Sequence, residues 1–366
     1  MTKRNVMIAM SGGVDSSVAA HFLCEDGYAC IGVTMKLFDN EDIGAESDDV
    51  CCSLAGASDA RSVAARIGFP HYVFNFSRDF DERVIDKFVR EYENGRTPNP
   101  CIDCNRFLKF DKLFQIARQA GCDCIATGHY ALIERDEDSG RYLLKKALDR
   151  TKDQSYVLYM LTQEQLAHTF FPLGGLRKSE VRRVAESRGF VNAQKQESQD
   201  ICFVPEGRYA DFIERRTGRK SEPGYFLDIF GRVIGRHKGL IRYTIGQRRG
   251  LGISRQEKLF VRSKDPLDNT VTLCEQESLY SKVLFAEDFN TISRETPGEP
   301  VRVRAMTRYR QKEHLATAVW TTPDCVTVTF DEPQLSAAPG QAIVLYELER
   351  EDVVLGGGTI VRAEWL

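Results

Sequence analysis

At 366 residues, with 42% hydrophobic and 28% charged side chains, the chain is too long for one ordinary domain and suits two or three packed cores. Its formal net charge of −3 excludes a globally basic nucleic-acid coat, and no apolar run reaches the roughly 18 residues of a membrane span. The N-terminal MTKRNVMIAMSGG lacks the apolar stretch of a secretory signal, so eleven cysteines, an odd number, point to free thiols in a reducing, cytoplasmic setting rather than to a disulfide framework.

The first half alternates strand and helix signals. RNVMIAM, ACIGVTM, HYVFNF and CDCIATG are short, β-leaning apolar runs. SSVAAHFLCED, SDARSVAARIG, FDERVIDKFVREYENG and FLKFDKLFQIARQAG carry helical periodicity between them. That rhythm predicts βαβ units and a parallel sheet covered on both faces, with ligands at the carboxyl ends of its strands. TQEQLAHTFF and RKSEVRRVAESRG predict two further helices before the pattern changes near residue 205. The second half reads as mainly β. KLFVRS and TVTLCE flank DPLDN as a hairpin, and VRVRAMTRYR, LATAVWTT, CVTVTF, AIVLYELE and GTIVRAEW predict strands of a small barrel or sandwich.

The stretch MIAMSGGVDSS, residues 7 to 17, sets a Ser-Gly-Gly turn between a buried strand and a helix opened by Asp15, Ser16 and Ser17. Glycine lets backbone amides approach an anion, and a helix N-terminus adds a favourable dipole. The lysine with which a P-loop grips the β- and γ-phosphates is missing. Amides, hydroxyls and an aspartate suit a pyrophosphate held with Mg²⁺ on the carboxylate, and so cleavage between the α- and β-phosphates that hands AMP to a substrate.

TPNPCIDCNRFLKF, residues 97 to 110, holds Pro98 and Pro100 in an extended entry and starts a helix close to Cys104 and Asn105, where the dipole favours a thiolate. Its CxxC spacing suits a dithiol couple, half a zinc site or part of an iron–sulfur site. Cys122-Asp123-Cys124 reads as a strand with both thiols on one buried face, and Cys51-Cys52 as structural. Cys202, in ESQDICFVPEG, reads by itself as a small buried hydrophobe. Residues 231 to 255 carry seven Lys or Arg and no acid, and VRVRAMTRYRQK, residues 301 to 312, is basic too; each is either a phosphate-contacting stripe or a solvated strand face.

SGGVDSS resembles the PP-loop signature, SGGxDS, of ATP pyrophosphatases. With NPCIDCN, SQDICF, GHY (128 to 130), KDQSY (152 to 156) and YTIGQRRGLGI (243 to 253), it resembles the tRNA-specific 2-thiouridylases over essentially the whole chain. The resemblance implies an α/β PP-loop domain over 1–205, its parallel sheet covered by helices on both faces. A small central α+β domain over 206–280 and a C-terminal, tRNA-binding β-barrel over 281–366 would follow. It implies ATP-dependent 2-thiolation of the wobble uridine in tRNAs for Lys, Glu and Gln, with Mg²⁺, and tRNA as partner. A persulfide donor such as a cysteine desulfurase or sulfur-relay protein would supply the sulfur, and no membrane would be involved.

Residue by residue, the resemblance makes Ala9, Met10, Ser11, Gly12, Gly13, Val14, Asp15 and Ser16 the ATP loop, with Asp15 also catalytic. Met35 and Gly128 would complete the adenosine site. Cys104 would be the nucleophile and Cys202 the bearer of the persulfide. His129, Lys152, Asp153, Gln154, Arg308, Tyr309 and Gln341 match tRNA-contacting positions, and Asn99, Pro100 and Cys101 match the segment facing the target base.

The chemistry is consistent with this. The C2 oxygen of uridine is a poor leaving group until AMP is placed on it, after which sulfur displaces the adenylate and a Cys104–Cys202 disulfide is left for reduction. The uridine must leave the anticodon stack to react, and the basic stretches then read as phosphate contacts. Many members of the family carry aspartate three residues before the nucleophile, where this chain has Cys101. An iron–sulfur cluster on Cys101, Cys104 and Cys202 is therefore an alternative. Other readings are a different adenylating PP-loop enzyme, or a non-catalytic RNA-binding protein with a decayed loop, against which the intact Ser11, Gly12, Gly13, Asp15 and Ser16 speak.

Overall fold

Strand β1 (Asn5–Ala9) is buried along almost its whole length, as a central parallel strand must be. A computed structural model of the chain describes residues 4–39, 54–196, 201–204, 208–253 and 257–365. β1 pairs in parallel with β2 (Ala29–Lys36), which pairs with β3 (His71–Asn75); on its other side β1 pairs with β4 (Cys124–Thr127). A separate antiparallel hairpin joins β5 (Ala131–Arg135) and β6 (Tyr142–Lys146), and β7 (Thr169–Phe170) completes the parallel sheet beside β4. The order is β3-β2-β1-β4-β7, so the winding reverses between β1 and β4. Ligands of open α/β sheets bind outside the strand ends at such a reversal, and here the turns after β1 and β4 meet there.

Helices cover both faces, as expected. Val6 and Ile8 of β1 share a core with Val18 and Ala19 of α1 (Val14–Glu25), Ala60 and Ala64 of α2 (Leu54–Ile67), and Val181 of the helix Lys178–Ser187. The period of two turns Met7 to the opposite face, in register with Ile125 of β4, and the helix Leu113–Gln119 packs against β4. Among the described residues, Asp81–Ile85 and Cys104–Lys112 are π-helical. Three expectations need correction. The stretch TQEQLAHTFF is helical only over Gln163–Ala167, with a Thr162/Gln165 capping box, and its Thr169–Phe170 joins the sheet. β4 starts at Cys124, so Cys122 precedes the strand, although both thiols are buried. The third concerns Cys104 and is described below.

The second half holds a four-stranded sheet in the order β10-β11-β8-β9, formed by β8 (Gly224–Leu227), β9 (Val233–His237), β10 (Phe260–Asp265) and β11 (Thr270–Cys274). The expected hairpin is β10–β11. Six strands then close a barrel: β12 (Tyr280–Thr291), β13 (Val301–Met306), β14 (His314–Thr322), β15 (Cys325–Leu335), β16 (Ala342–Glu347) and β17 (Val354–Trp365). The antiparallel pairing of β12 with β17 closes it and decides between barrel and sandwich. Leu284, Val303, Val328, Phe330, Ile343, Leu345 and Ile360 fill its interior.

The chain forms two compact units. One comprises Met1–Val84, Cys101–Gly207 and Asp352–Val354; the other comprises Ile85–Pro100, Arg208–Glu351 and Leu355–Leu366. Within the first, Lys146 donates its backbone N–H to Asp352 O at 2.8 Å. Within the second, Tyr92 stacks on Tyr209 with ring centres 5.0 Å apart, and Thr97 N–H donates to Pro339 O at 2.9 Å.

Candidate active site

After β1 the chain turns through Ser11-Gly12-Gly13 into α1. Gly13 caps the helix in extended backbone (φ −86°, ψ 160°) without a side-chain hydrogen bond, so no cap of its own competes with an anion for the first-turn amides. Gly12 is required by geometry. Its φ is +76°, and a Cβ there would lie 2.1 Å from the Gly56 carbonyl oxygen. Gly128, just after β4, is confined in the same way: a Cβ would meet Ser16 N at 2.7 Å and the Asp15 carbonyl carbon at 2.8 Å.

The serine hydroxyls hold the loop's own backbone. Ser16 Oγ donates to Gly13 O at 3.1 Å and accepts from Ser11 N at 3.3 Å, while Ser17 Oγ donates to Gly13 O at 3.1 Å. Asn192 Nδ2 donates at 2.9 Å to both Gly12 O and Ser17 Oγ. Asp15 is held from afar as well. Lys178 Nζ donates to Asp15 Oδ1 and Oδ2, each at 2.7 Å, and the Tyr130 hydroxyl donates to Oδ1 at 2.8 Å.

A cleft of about 200 Å³ opens beside the loop. It gathers Ala9, Met10, Ser11, Asp15, Ser16, Met35 and Gly128, all expected at the nucleotide, with His129 and Gln154, expected at tRNA, and with Lys109 and Thr127, to which sequence assigned no role. Gly12, Gly13 and Val14 shape the turn without lining it: Gly12 is pressed on Gly56, Gly13 is the cap, and Val14 is in the core. His129 Nδ1 lies 2.7 Å from Thr127 Oγ1. Its imidazole is buried, and burial first, the Lys109 cation second, hold its pKa well below the ordinary value, so it is neutral.

Lys109 belongs to the π-helical segment Cys104–Lys112, which reaches the cleft through Lys109 rather than through the candidate nucleophile. Here the expected helix start is corrected. The helix begins at Pro100, so Cys101 takes its first turn and Cys104 lies beyond Asp103. Pro100 reads as an extended residue, but proline is also the favoured first residue of a helix because its missing N–H would have no partner there. Cys104 is buried and Cys101 exposed; Asn105 Nδ2 donates to Val157 O at 2.9 Å and fixes the segment.

Cys202 is half-buried in a turn closed by Val204 N–H donating to Ile201 O at 3.0 Å. Its neighbour Phe203 packs edge-on against Phe80 with centres 5.5 Å apart. Phe80 ends the helix Ser77–Phe80, whose Asp79 pairs with Lys112 at the far end of the Cys104 segment. Neither Cys104 nor Cys202 lines the cleft. The nine described cysteines are free thiols. Among the described residues no three His, Cys, Asp or Glu side chains stand as a metal-ligand set, so Cys101, Cys104 and Cys202 are not gathered for a cluster. Cys51 and Cys52 lie outside the described residues. Also among the described residues, no helix is long and apolar enough to cross a membrane.

The remaining expected tRNA contacts fall into two groups. Asp153 is turned inward, accepting Ala147 N–H at 2.8 Å and the Ser155 hydroxyl at 2.7 Å; burial raises its pKa against these bonds. Gln154 Oε1 accepts Tyr130 N–H at 2.9 Å, and Lys152 is half-exposed. In the second unit Gln341 Nε2 donates to Thr97 O at 2.7 Å and so steadies the irregular segment leading to the half-buried Asn99. Arg308 is exposed and donates to Ser336 O at 3.4 Å, beside the half-buried Tyr309. The basic stretches are partly neutralised: Arg242 pairs with Glu214 at 2.7 Å, Arg302 with Asp331 at 2.6 Å and Arg304 with Glu351 at 2.5 Å.

Sequence alone assigned no role to Lys178, Tyr130, Asn192, Lys109 or Thr127, although Tyr130 closes the GHY motif and Lys109 lies within TPNPCIDCNRFLKF. Lys178 left a different trace, as a cation at the start of a helix, where the dipole disfavours it.

Three family descriptions match the chain in succession: "tRNA methyl transferase HUP domain" over residues 4–206, "tRNA methyl transferase PRC-barrel domain" over 210–275 and "Aminomethyltransferase beta-barrel domain" over 281–360. The tRNA-specific 2-thiouridylase MnmA of Clostridioides difficile (strain 630) is 49% identical over 360 residues, covering 98% of this chain and 99% of its own. That of Acetivibrio thermocellus is 47% identical over 361 residues, covering 98% and 100%. Among solved structures, the U34-tRNA thiolase NcsA from Methanococcus maripaludis with its 4Fe–4S cluster aligns at 17% identity and a TM-score of 0.36. That alignment covers 60% of this chain and 67% of that one, too loose a likeness to carry an argument.

Proposed function

The chain belongs to the tRNA-specific 2-thiouridylase family and is a tRNA-thiolating enzyme, and we propose that it acts on the C2 carbonyl of the wobble uridine in tRNAs for Lys, Glu and Gln. The observation that carries this reading is the cleft itself: Lys109, on the same helical segment as Cys104, lines it together with Asp15 and Ser16 of the SGGVDSS loop.

In this reading the amides of the α1 N-terminus hold the ATP phosphates. Asp15 is the acid among the lining residues, but Lys178 Nζ occupies both of its carboxylate oxygens and the Tyr130 hydroxyl also donates to Oδ1, so Mg²⁺ arriving with ATP would rest mainly on the phosphates and water. The uridine O2 attacks the α-phosphorus, the bond to the β-phosphate oxygen breaks, and pyrophosphate leaves. The terminal sulfur of a Cys202 persulfide attacks C2, and the C2–O bond breaks as AMP departs. The Cys104 thiolate attacks Sγ of Cys202, which leaves the sulfur on the base and forms a Cys104–Cys202 disulfide. An external thiol reductant supplies two electrons to reopen it, and a persulfide donor such as a cysteine desulfurase or sulfur-relay protein reloads Cys202. The three thiols Cys101, Cys104 and Cys202 are not assembled for an iron–sulfur cluster, and no step is routed through one.

His129, Lys152, Asp153, Gln154, Arg308, Tyr309 and Gln341 serve tRNA in this scheme, the inward-turned Asp153 and the Thr97-bound Gln341 by shaping the segments around them. Asn99, Pro100 and Cys101 face the flipped base. The functional division is 1–205 for catalysis, 206–280 for the central domain and 281–366 for the tRNA-binding barrel, in a cytoplasmic enzyme. The test is thiolation of an unmodified transcript with purified protein, ATP and a persulfide source. Cys104→Ala and Cys202→Ala abolish product, Cys101→Ala retains it, and AMP with pyrophosphate accumulates in step with thiolation. ADP as the nucleotide product overturns the scheme.

A further inference from the structure

The phosphate loop carries no lysine, yet a lysine stands at it. Lys178 lies 163 residues beyond Asp15 in sequence, is 8% exposed, and places Nζ 2.7 Å from both carboxylate oxygens. Its ammonium also sits 5.7 Å from the centre of the Tyr130 ring, whose hydroxyl donates to the same carboxylate. Helix stability does not account for this residue. Lys178 is the first residue of the helix Lys178–Ser187, where the macrodipole repels a cation, and burying its charge costs more than a surface pair returns. The surroundings nevertheless hold it in place. Asp149 Oδ2 accepts the Lys178 backbone N–H at 3.0 Å, and Glu180 Oε2 accepts the preceding Arg177 N–H at 2.7 Å. A sequence that breaks a local rule and then fastens the result is usually serving a site.

Resting on the reading of the cleft as the ATP site, we propose that Lys178 is the cation the loop lacks: a positioning residue that cancels the Asp15 charge and so lets a nucleotide polyphosphate settle on the α1 N-terminus. Without it, Asp15 presents an uncompensated negative charge to a ligand of three to four negative charges, in a cleft where such charges are poorly screened. The penalty grows with the number of phosphates and vanishes for the uncharged nucleoside. A residue that only kept the fold intact would weaken every nucleotide alike.

The experiment measures binding of ATP, AMP and adenosine to the full-length protein by calorimetry, in excess EDTA, without tRNA. Lys178→Met is expected to weaken ATP by about 10- to 100-fold, AMP by less and adenosine by under about twofold. Adding Asp15→Asn to Lys178→Met removes the surplus charge and restores ATP binding to within about threefold of the parent. Equal losses for ATP and adenosine, or no recovery in the double variant, overturn the proposal. Should Lys178→Met fail to fold, Asp15→Asn alone decides: it leaves the ammonium in excess and must tighten metal-free ATP, and a loss refutes the idea. A parent protein that binds no ATP, with or without Mg²⁺, sinks the functional reading itself.

Discussion

Gly128→Ala adds one methyl group at the contact between β4 and the phosphate loop. The new Cβ would lie 2.7 Å from Ser16 N, 2.8 Å from the Asp15 carbonyl carbon and 3.1 Å from Asp15 Cβ. None of these is the end of a flexible side chain. The strand end and the first turn of α1 must separate by about 0.7 Å before the closest contact reaches 3.4 Å, the start of ordinary van der Waals distance. Overpacking of this kind costs about 1–3 kcal/mol. The strain falls on the residues that face the nucleotide, so it appears largely in affinity, where the same range weakens ATP by about 5- to 150-fold. Equilibrium ATP binding measures it, with Gly175→Ala as control, because a Cβ at Gly175 meets nothing within 4 Å. A Gly128→Ala protein with the parent's ATP affinity and melting temperature would refute the reasoning, since it would show the two elements free to part at no cost.

Two further predictions concern pH. His129 is buried neutral and its pKa depressed, so below the unfolded value of 6.5 the unfolded chain takes up a proton that the native one refuses, and stability falls as pH falls. His21, His71 and His237 are lowered as well, by burial first, and add to the slope; His129→Gln should remove one group's share, at most about 1.4 kcal/mol per pH unit, as read from urea midpoints at about pH 7.5 and 5.5. Lys264 has the same sign at higher pH. Burial pushes its ammonium down to about 8 from 10.5, and its Nζ donates to Tyr243 O at 2.8 Å. Between those values only the unfolded chain holds the proton, so stability rises with pH across that window; urea midpoints near pH 8 and 10 should show a smaller rise for Lys264→Met, and an unchanged one would contradict the burial.

The parallel sheet was legible because β1, β2 and β4 are continuous apolar runs between amphipathic helices, and the nucleotide loop because its glycines follow a strand and precede a helix. Other parts were hidden for identifiable reasons. β7 is two residues long and lies beyond a genuine capping box, so helical signals ran over it. Barrel and sandwich share one alternating pattern, and only the β12–β17 pairing, distant in sequence, separates them. The helix at Cys101 was displaced because Pro100 suits both an extended entry and a first helical position. Lys178 and Asn192 act on a loop 163 to 180 residues away, and contacts of that separation leave no local spacing to read.

The threading of the chain through its two units restricts how the molecule can be divided. Ile85–Pro100 leaves the first unit for the second and returns at Cys101, while Asp352–Val354 comes back from between two barrel strands to meet Lys146. A single cut near residue 205 would therefore yield no self-sufficient half. The excised N-terminal piece would carry a stretch whose aromatic partners, such as Tyr209, had been discarded, and would lack the short return segment. Nicking by a protease should leave the fragments associated until denaturant is added, and activity should be recovered by mixing complementary pieces rather than from either one.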